Sequence, residues 1–170
     1  LHHFAAQNSS GGGIEGAFPS GPLLLSNGRL YGTTDNGGGN LYRLNSVTTE
    51  ATVITTQGTG TVFSLNTDGS GFQTIYNFSA LTDTVDSDST TNDNVGENGD
   101  GAFPAGGLME VSPGVLVGTT GGGGMTSDVA VGGLGTVFRL NTNGTLAGTT
   151  LTTLHNFDID TGIAPVGKLV

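Results

Sequence analysis

The residues best able to do chemistry gather in one acidic stretch, Asp83–Asp100, which reads DTVDSDSTTNDNVGENGD. Asp86, Asp88, Asp93, Glu97 and Asp100 could supply oxygen ligands to calcium, a hard cation that takes carboxylates and carbonyls. The stretch does not match the EF-hand loop, which needs D-x-[DN]-x-[DN]-G and a Glu at its end. The plainer reading is a solvated loop. A second candidate group is Asp35, Asn36 and Tyr42, beside the Gly37–Gly39 run. An aromatic face with amide and carboxylate groups is what a sugar platform needs. The Tyr residues sit within strand-like motifs, so core packing is the competing role.

Other chemistries find weaker support. The Gly runs at 37–39 and 121–124 look superficially like phosphate cradles. A phosphate-binding loop needs Gly-Lys-Ser/Thr entering a helix, and neither follows here. His2, His3 and His155 are the only histidines. His2 and His155 each precede a Phe by two residues, a recurrence that points to packing rather than to a metal. No Gly-x-Ser-x-Gly elbow exists for a serine nucleophile. Carboxylate pairs could hydrolyse glycosides, but the acids lie mainly outside the repeated motifs, and sequence spacing does not give their separation.

Composition narrows the field further. Gly makes up 32 of 170 residues, and four basic residues face fourteen acidic ones, for a net charge of −10. Such a chain cannot coat phosphates, which argues against nucleic acid as a partner. No apolar run approaches the roughly 20 residues of a membrane span. With no Cys, disulfides, thiolate metal sites and a Cys nucleophile are excluded. Hydrophobic residues make up 34% of the chain and are grouped.

The elements that must position these residues show themselves as a repeat. Phe18-Pro19 in GAFPSGPLLL returns as Phe103-Pro104 in GAFPAGGLME, with GIAPVGKLV as a weaker third copy. Leu30-Tyr31-Gly32-Thr33-Thr34 returns as Leu116-Val117-Gly118-Thr119-Thr120. Gly60-Thr61-Val62-Phe63-Ser64-Leu65-Asn66 returns as Gly135-Thr136-Val137-Phe138-Arg139-Leu140-Asn141. Leu1-His2-His3-Phe4 returns as Ile75-Tyr76-Asn77-Phe78 and Leu154-His155-Asn156-Phe157. These four motifs, A to D, are short, rich in β-branched and aromatic residues, and bounded by turn formers, which predicts strands. No window shows a helical period.

The turns order the strands. Asn27-Gly28 and Pro113-Gly114 join A to B, and Asp68-Gly69 and Asn143-Gly144 join C to D. All suit tight connections. B to C and D to A run through long Gly-rich loops. An up-and-down sheet then has one plain rim and one elaborated rim, where binding would reside.

Four antiparallel strands per unit is the arithmetic of a propeller blade. The expected fold is all-β with almost no helix. It is a β-propeller-like array of four-stranded antiparallel blades, two complete, plus overhanging strands. Residues 1–4 would be the outer strand of a preceding blade, 18–78 blade one, 79–102 an acidic loop, 103–157 blade two, and 162–170 the first strand of a following blade. Residues 40–57 read as a hairpin inserted in blade one, with a decayed C–D pair as the alternative. The Gly of motif B, Gly32 and Gly118, is expected where blades approach closely. Two blades cannot close a ring, so the chain is expected to be an excerpt of a longer array, or to share a ring with other chains.

LYGTT, a Gly-rich loop, GTVFSLNTDGSGF, IYNF and DGAFPAGGL together resemble the GloVer-type tandem repeat of secreted or surface-anchored bacterial proteins. The resemblance covers nearly the whole chain. Val117 and Ala164 depart from the family pattern. The resemblance implies a propeller-like fold and an extracellular or cell-surface home, and carries over no catalytic residue. The expected function is a non-catalytic structural or adhesive module whose partners are other blades. A carbohydrate-binding propeller and a secreted polysaccharide hydrolase or lyase are the alternatives. Calcium is the one cofactor the residues suggest.

Overall fold

The computed structural model describes residues 2–4, 14–39, 41–47, 52–83, 96–126, 133–143, 146–167 and 169–170. Among these the chain is all-β, and its one helical element is a single 3₁₀ turn at Leu146–Gly148. The first sheet holds β1 (Ala17–Ser26), β2 (Arg29–Asn36), β5 (Thr61–Asn66) and β6 (Gln73–Asn77). Its strands lie in the order β1-β2-β5-β6, each antiparallel to the next. Between β2 and β5 the chain makes a separate hairpin of β3 (Leu41–Val47) and β4 (Thr52–Gly58). The second sheet holds β9 (Leu108–Ser112), β10 (Val115–Thr120), β11 (Thr136–Asn141) and β12 (Thr150–Asn156), again an antiparallel meander. A short pair, β7 (Thr82–Asp83) and β8 (Gly96–Glu97), bridges the segment between the sheets. Among the described residues no helix is long and apolar enough to cross a membrane.

Local chemistry explains the turns and the kinks. Asn27 and Gly28 both take positive φ, +49° and +75°, as a type I′ hairpin requires. Gly114 takes φ +74° after Pro113, the demand of a type II turn. Both sheets carry a bulge at one repeat position. Val62 pairs with Tyr76 and Phe63 with Thr74, so Ile75 is the extra residue. Leu154 is its counterpart between His155 and Thr153. A bulge re-aims the strand at that point.

The sheets stack front to back. Strand alternation puts Phe63 and Leu65 on the front of the first sheet and Val62 on its back. Tyr31, Val62, Ile75 and Phe78 of the first unit share one buried cluster with Leu108, Leu116, Phe138 and Leu140 of the second. Phe138 and Leu140 are the repeats of Phe63 and Leu65. So the back of the first sheet meets the front of the second. Each large apolar side chain buried there contributes about 1.5–3 kcal/mol.

The structure corrects two expectations. Gly32 and Gly118 do not mark close approach of one sheet's backbone to another. A Cβ on Gly118 would lie 2.6 Å from Phe138 Cζ, and one on Gly32 would lie 2.5 Å from Phe63 Cζ. The glycine makes room for a ring lying across it from the neighbouring strand of the same sheet. The segments expected as overhanging strands, 1–4 and 162–170, form no strand in their described residues. A strand needs a ladder of hydrogen bonds to a neighbour; residues 2–4 instead set His2 and Phe4 against Phe72 and Phe63, and Ala164 bonds only locally to the Leu134 carbonyl.

Candidate functional site

The predicted calcium ligands fall into two groups. Asp86, Asp88 and Asp93 lie outside the described residues. Glu97 and Asp100 are described, and each already serves a protein donor. Glu97 Oε1 accepts from the Thr126 N–H at 3.1 Å. Asp100 is buried, and its Oδ2 accepts from Tyr76 Oη (2.7 Å), Ser79 N (2.9 Å) and Ser79 Oγ (3.0 Å). Its Oδ1 is buried without a partner. Burial, and then the Asp100 carboxylate beside it, push the Tyr76 phenol above the usual tyrosine range. Among the described residues no three acidic or His side chains are placed to share a metal ion.

The rim candidates are also apportioned. Asn36 Nδ2 donates to Asp35 Oδ2 at 2.7 Å. Burial raises the Asp35 pKa above the usual aspartate range, and that hydrogen bond opposes the shift. Tyr42 lies on β3, paired with Gln57 in the separate hairpin. Its backbone therefore belongs to a different sheet from Asp35 and Asn36, which end β2.

The structure does assemble a polar joint where the loops meet, and it occurs twice. Thr34 Oγ1 lies 2.8 Å from Thr61 Oγ1, and Thr120 Oγ1 lies 2.9 Å from Thr136 Oγ1. All four residues are buried. Thr34 Oγ1 accepts from the Thr61 N–H and donates to the Asn36 carbonyl; Thr120 does the same for Thr136 and Gly122. The backbone of Gly16 or Gly101 passes against each pair, so a Cβ on Gly101 would come within 2.6 Å of Thr136 Oγ1. Close packing of hydroxyls and backbone leaves room only for Gly.

Asn98 locks the second copy. It is buried. Its Oδ1 accepts from Gly101 N (2.8 Å) and Gly124 N (3.0 Å), and its Nδ2 donates to the carbonyls of Ser79 and Gly101, each at 2.8 Å. One side chain thereby ties β6's exit, the entry to β9 and the β10–β11 loop. The sequence shows Asn98 only as one of several Asn in an acidic stretch. The Thr pairs were more accessible, since both members recur in both copies.

Apolar groups form the other half of the joint, again in duplicate. Tyr76 and Phe78 sit edge to face at 5.2 Å, and Phe78 meets Phe138 at 5.3 Å and 72°. His2 and Phe4 sit edge to face at 5.1 Å, and Phe4 meets Phe63 at 5.2 Å and 71°. Residues 2–4 therefore stand on the first sheet as Tyr76–Phe78 stand on the second. The acid partner repeats as well: His2 Nε2 lies 3.3 Å from Glu15 Oε2, at the repeat position of Asp100. His155 and Phe157 make the same edge-to-face pair at 4.7 Å. His2 packs on the first sheet as expected, stacked on Phe72, whereas His155 is exposed and, among the described residues, its ring touches only Phe157.

A latch of one form is made beside each sheet. The Phe103 N–H donates to the Thr59 carbonyl at 2.8 Å, and the Ala164 N–H to the Leu134 carbonyl at 2.8 Å. The prolines that follow press on Gly60 and Gly135: a Cβ on either would lie 2.6 or 2.7 Å from the Pro104 or Pro165 Cδ. Phe18, Phe103 and Ala164, the residues before these prolines, all have positive φ, +55°, +59° and +46°.

The front of the first sheet carries an open cleft of about 230 Å³, lined by His2, Phe4, Leu23, Leu30, Phe63 and Leu65 among others. Its walls are the repeat equivalents of side chains that the second sheet buries in the joint. Comparison with protein-family models, with curated proteins and with solved structures finds no match.

Proposed function

We propose that this chain is a non-catalytic structural repeat module, a piece of a β-propeller-like array of four-stranded blades, working in an extracellular or cell-surface setting. One observation carries the reading: the contacts that join the two sheets are built again, from the same repeat positions, where the chain's other segments meet each sheet. Thr pair, Gly backbone, aromatic pair on a Phe, and Xaa-Pro latch all recur. Evolution of a binding pocket for one ligand does not require that duplication, whereas stacking like units on like units does. The resemblance of the LYGTT, GTVFSLN and GAFP motifs to GloVer-type repeats supports the surface setting.

The test has two arms. Protease shaving of intact producing cells is expected to release peptides from this chain without lysis. Imaging of the native particle is expected to show wedge-like blades around an axis. Peptides appearing only after lysis would remove the surface setting, and a particle without radial blades would remove the propeller-like array.

A further inference from the structure

We propose that Asn27 is a site of spontaneous modification. Its side-chain amide is lost to attack by the Gly28 backbone nitrogen, and the residue passes through a cyclic imide to aspartate and isoaspartate. The fold shields Asn36 and Asn98, which also precede a glycine. The site lies beyond the structural role proposed above and depends only on the turn between β1 and β2.

Asn-Gly occurs four times, at 27–28, 36–37, 98–99 and 143–144. Glycine makes each a candidate, because it has no side chain to hinder the attacking nitrogen. What decides is whether the Asn amide is free and the glycine nitrogen can turn toward it. Asn98 is buried with both ends of its amide held: Oδ1 accepts from Gly101 N and Gly124 N, and Nδ2 donates to the Ser79 and Gly101 carbonyls. Asn36 Nδ2 donates to Asp35 Oδ2 at 2.7 Å, and its backbone pairs with Ala17. Gly37 is buried so closely that a Cβ on it would lie 2.6 Å from the Gly16 carbonyl carbon. Gly144 lies outside the described residues. Asn27 differs on each count. Asn27 and Gly28 are both exposed. The Asn27 side chain makes no hydrogen bond among the described residues. Nothing lies within 4 Å of a Cβ placed on Gly28, so the turn peptide has room to rotate. Ser26 pairs with Arg29 as the last rung of the ladder, so that rotation disturbs the two turn residues and leaves the sheet in place. The same turn in the second unit is Pro113-Gly114, which has no side-chain amide to lose.

The step balances with water as its one co-reactant. The Gly28 nitrogen gives up its proton as it bonds to Asn27 Cγ, the Cγ–Nδ2 bond breaks, and ammonia leaves with that proton. Water then opens the imide ring. Attack at Cγ restores the main chain and leaves aspartate. Attack at the main-chain carbonyl carbon leaves isoaspartate, with the chain running through the side-chain methylene. Nothing is oxidised or reduced. Either product adds a negative charge. The isoaspartate also lengthens a two-residue loop whose φ angles of +49° and +75° are those of a type I′ turn, a geometry that has no place for an extra backbone carbon. Ser26, the residue before, donates to Glu110 Oε2 at 2.6 Å, from one sheet to the other. The new charge therefore arrives one residue from a tie between the sheets.

Peptide mapping by mass spectrometry tests this on the whole chain held in mildly alkaline buffer and sampled over time, beside a sample unfolded in guanidinium chloride. In the folded chain Asn27 is expected to convert first. Its isoaspartate is detected by methyl transfer from S-adenosylmethionine with an isoaspartyl methyltransferase. Asn36 and Asn98 are expected to lag by at least about tenfold, since each waits for local opening of the fold. In denaturant the three are expected to convert at similar rates, which assigns the difference to the fold and not to the flanking sequence. Gly28→Ala is expected to slow conversion of Asn27 and to leave the other two unchanged. Asn36 or Asn98 converting as fast as Asn27 in the folded chain overturns the proposal. So does Asn27 persisting in the folded chain for the time in which the unfolded chain loses it. An unchanged Asn27 rate in Gly28→Ala overturns attack by the Gly28 nitrogen, and the wild-type comparison stands as a test even if that variant fails to fold.

Discussion

Phe78 and Phe157 occupy the same repeat position, and among the described residues only Phe78 packs against a neighbouring sheet. Phe78 is fully buried and meets Phe138 edge to face at 5.3 Å. Truncating such a ring costs about 3–5 kcal/mol, the sum of lost transfer energy and the cavity left behind. Phe157 is only partly buried. Its truncation forfeits a fraction of the roughly 1.5–3 kcal/mol for full burial and opens no closed cavity, so about 1 kcal/mol is expected. The two variants should therefore differ by roughly 2–4 kcal/mol. For a chain of this length each kcal/mol moves Tm by about 2–4 °C. Phe78→Ala should then melt about 4–16 °C below Phe157→Ala. Urea and thermal unfolding followed by far-ultraviolet circular dichroism measure this without a tryptophan. A double-mutant cycle between Phe78 and Phe138 should return about 0.5–1.5 kcal/mol of coupling. Equal losses for the two alanine variants, or no coupling, would refute the claim that the sheets are cemented at this ring.

Three further outcomes follow from the joint. Gly101→Ala forces a Cβ into the Thr120–Thr136 pair at φ +94° and should cost about 3–5 kcal/mol; Gly28→Ala, at φ +75° with open space around it, should cost only about 1 kcal/mol of backbone strain, as compared by urea midpoints. Asn98→Asp places an oxygen against the Ser79 and Gly101 carbonyls in place of a donor; it should lose about 2–4 kcal/mol at neutral pH and recover part of it as acid protonates the new carboxyl, read from Tm against pH. Tyr76 has its folded pKa raised by burial and by Asp100. Its contribution is therefore fully present below the ordinary tyrosine pKa of about 10 and is lost as pH rises towards the folded value; Tyr76→Phe should be less stable than wild type at neutral pH and should flatten the loss above pH 10.

How much of this was legible depends on whether a feature repeats. The all-β character and the two antiparallel four-stranded sheets follow from motifs whose spacing and turn residues are local: Asn27-Gly28 and Pro113-Gly114 fix their hairpins within four residues. The packing of His2 was legible because the position recurs beside a Phe. What the sequence hides is long-range and singular. Asn98 binds Gly124 across 26 residues, and nothing in the string marks it among its neighbours. The carboxylate of Asp100 reads as a metal ligand in a run of acids, whereas folding turns it inward onto Tyr76 and Ser79. Gly32 and Gly118 were recognisable as special, but the ring that fills the space above each belongs to the next strand, whose side of the sheet emerges only with the register.

The positive φ of Phe18, Phe103 and Ala164 has a kinetic meaning. A non-glycine residue in that region is strained by about 1–2 kcal/mol, and packing must hold it there. At Phe103 one holding contact is the N–H donated to the Thr59 carbonyl of the first unit. Each meander can nucleate from its own hairpins, so the sheets form first and the latch snaps in afterwards. Its interactions are then absent from the folding barrier. Changes at Phe103 should quicken unfolding and leave the refolding rate nearly unmoved in stopped-flow traces, so the resistance of a stack to coming apart can be tuned at its latches without slowing the birth of its blades.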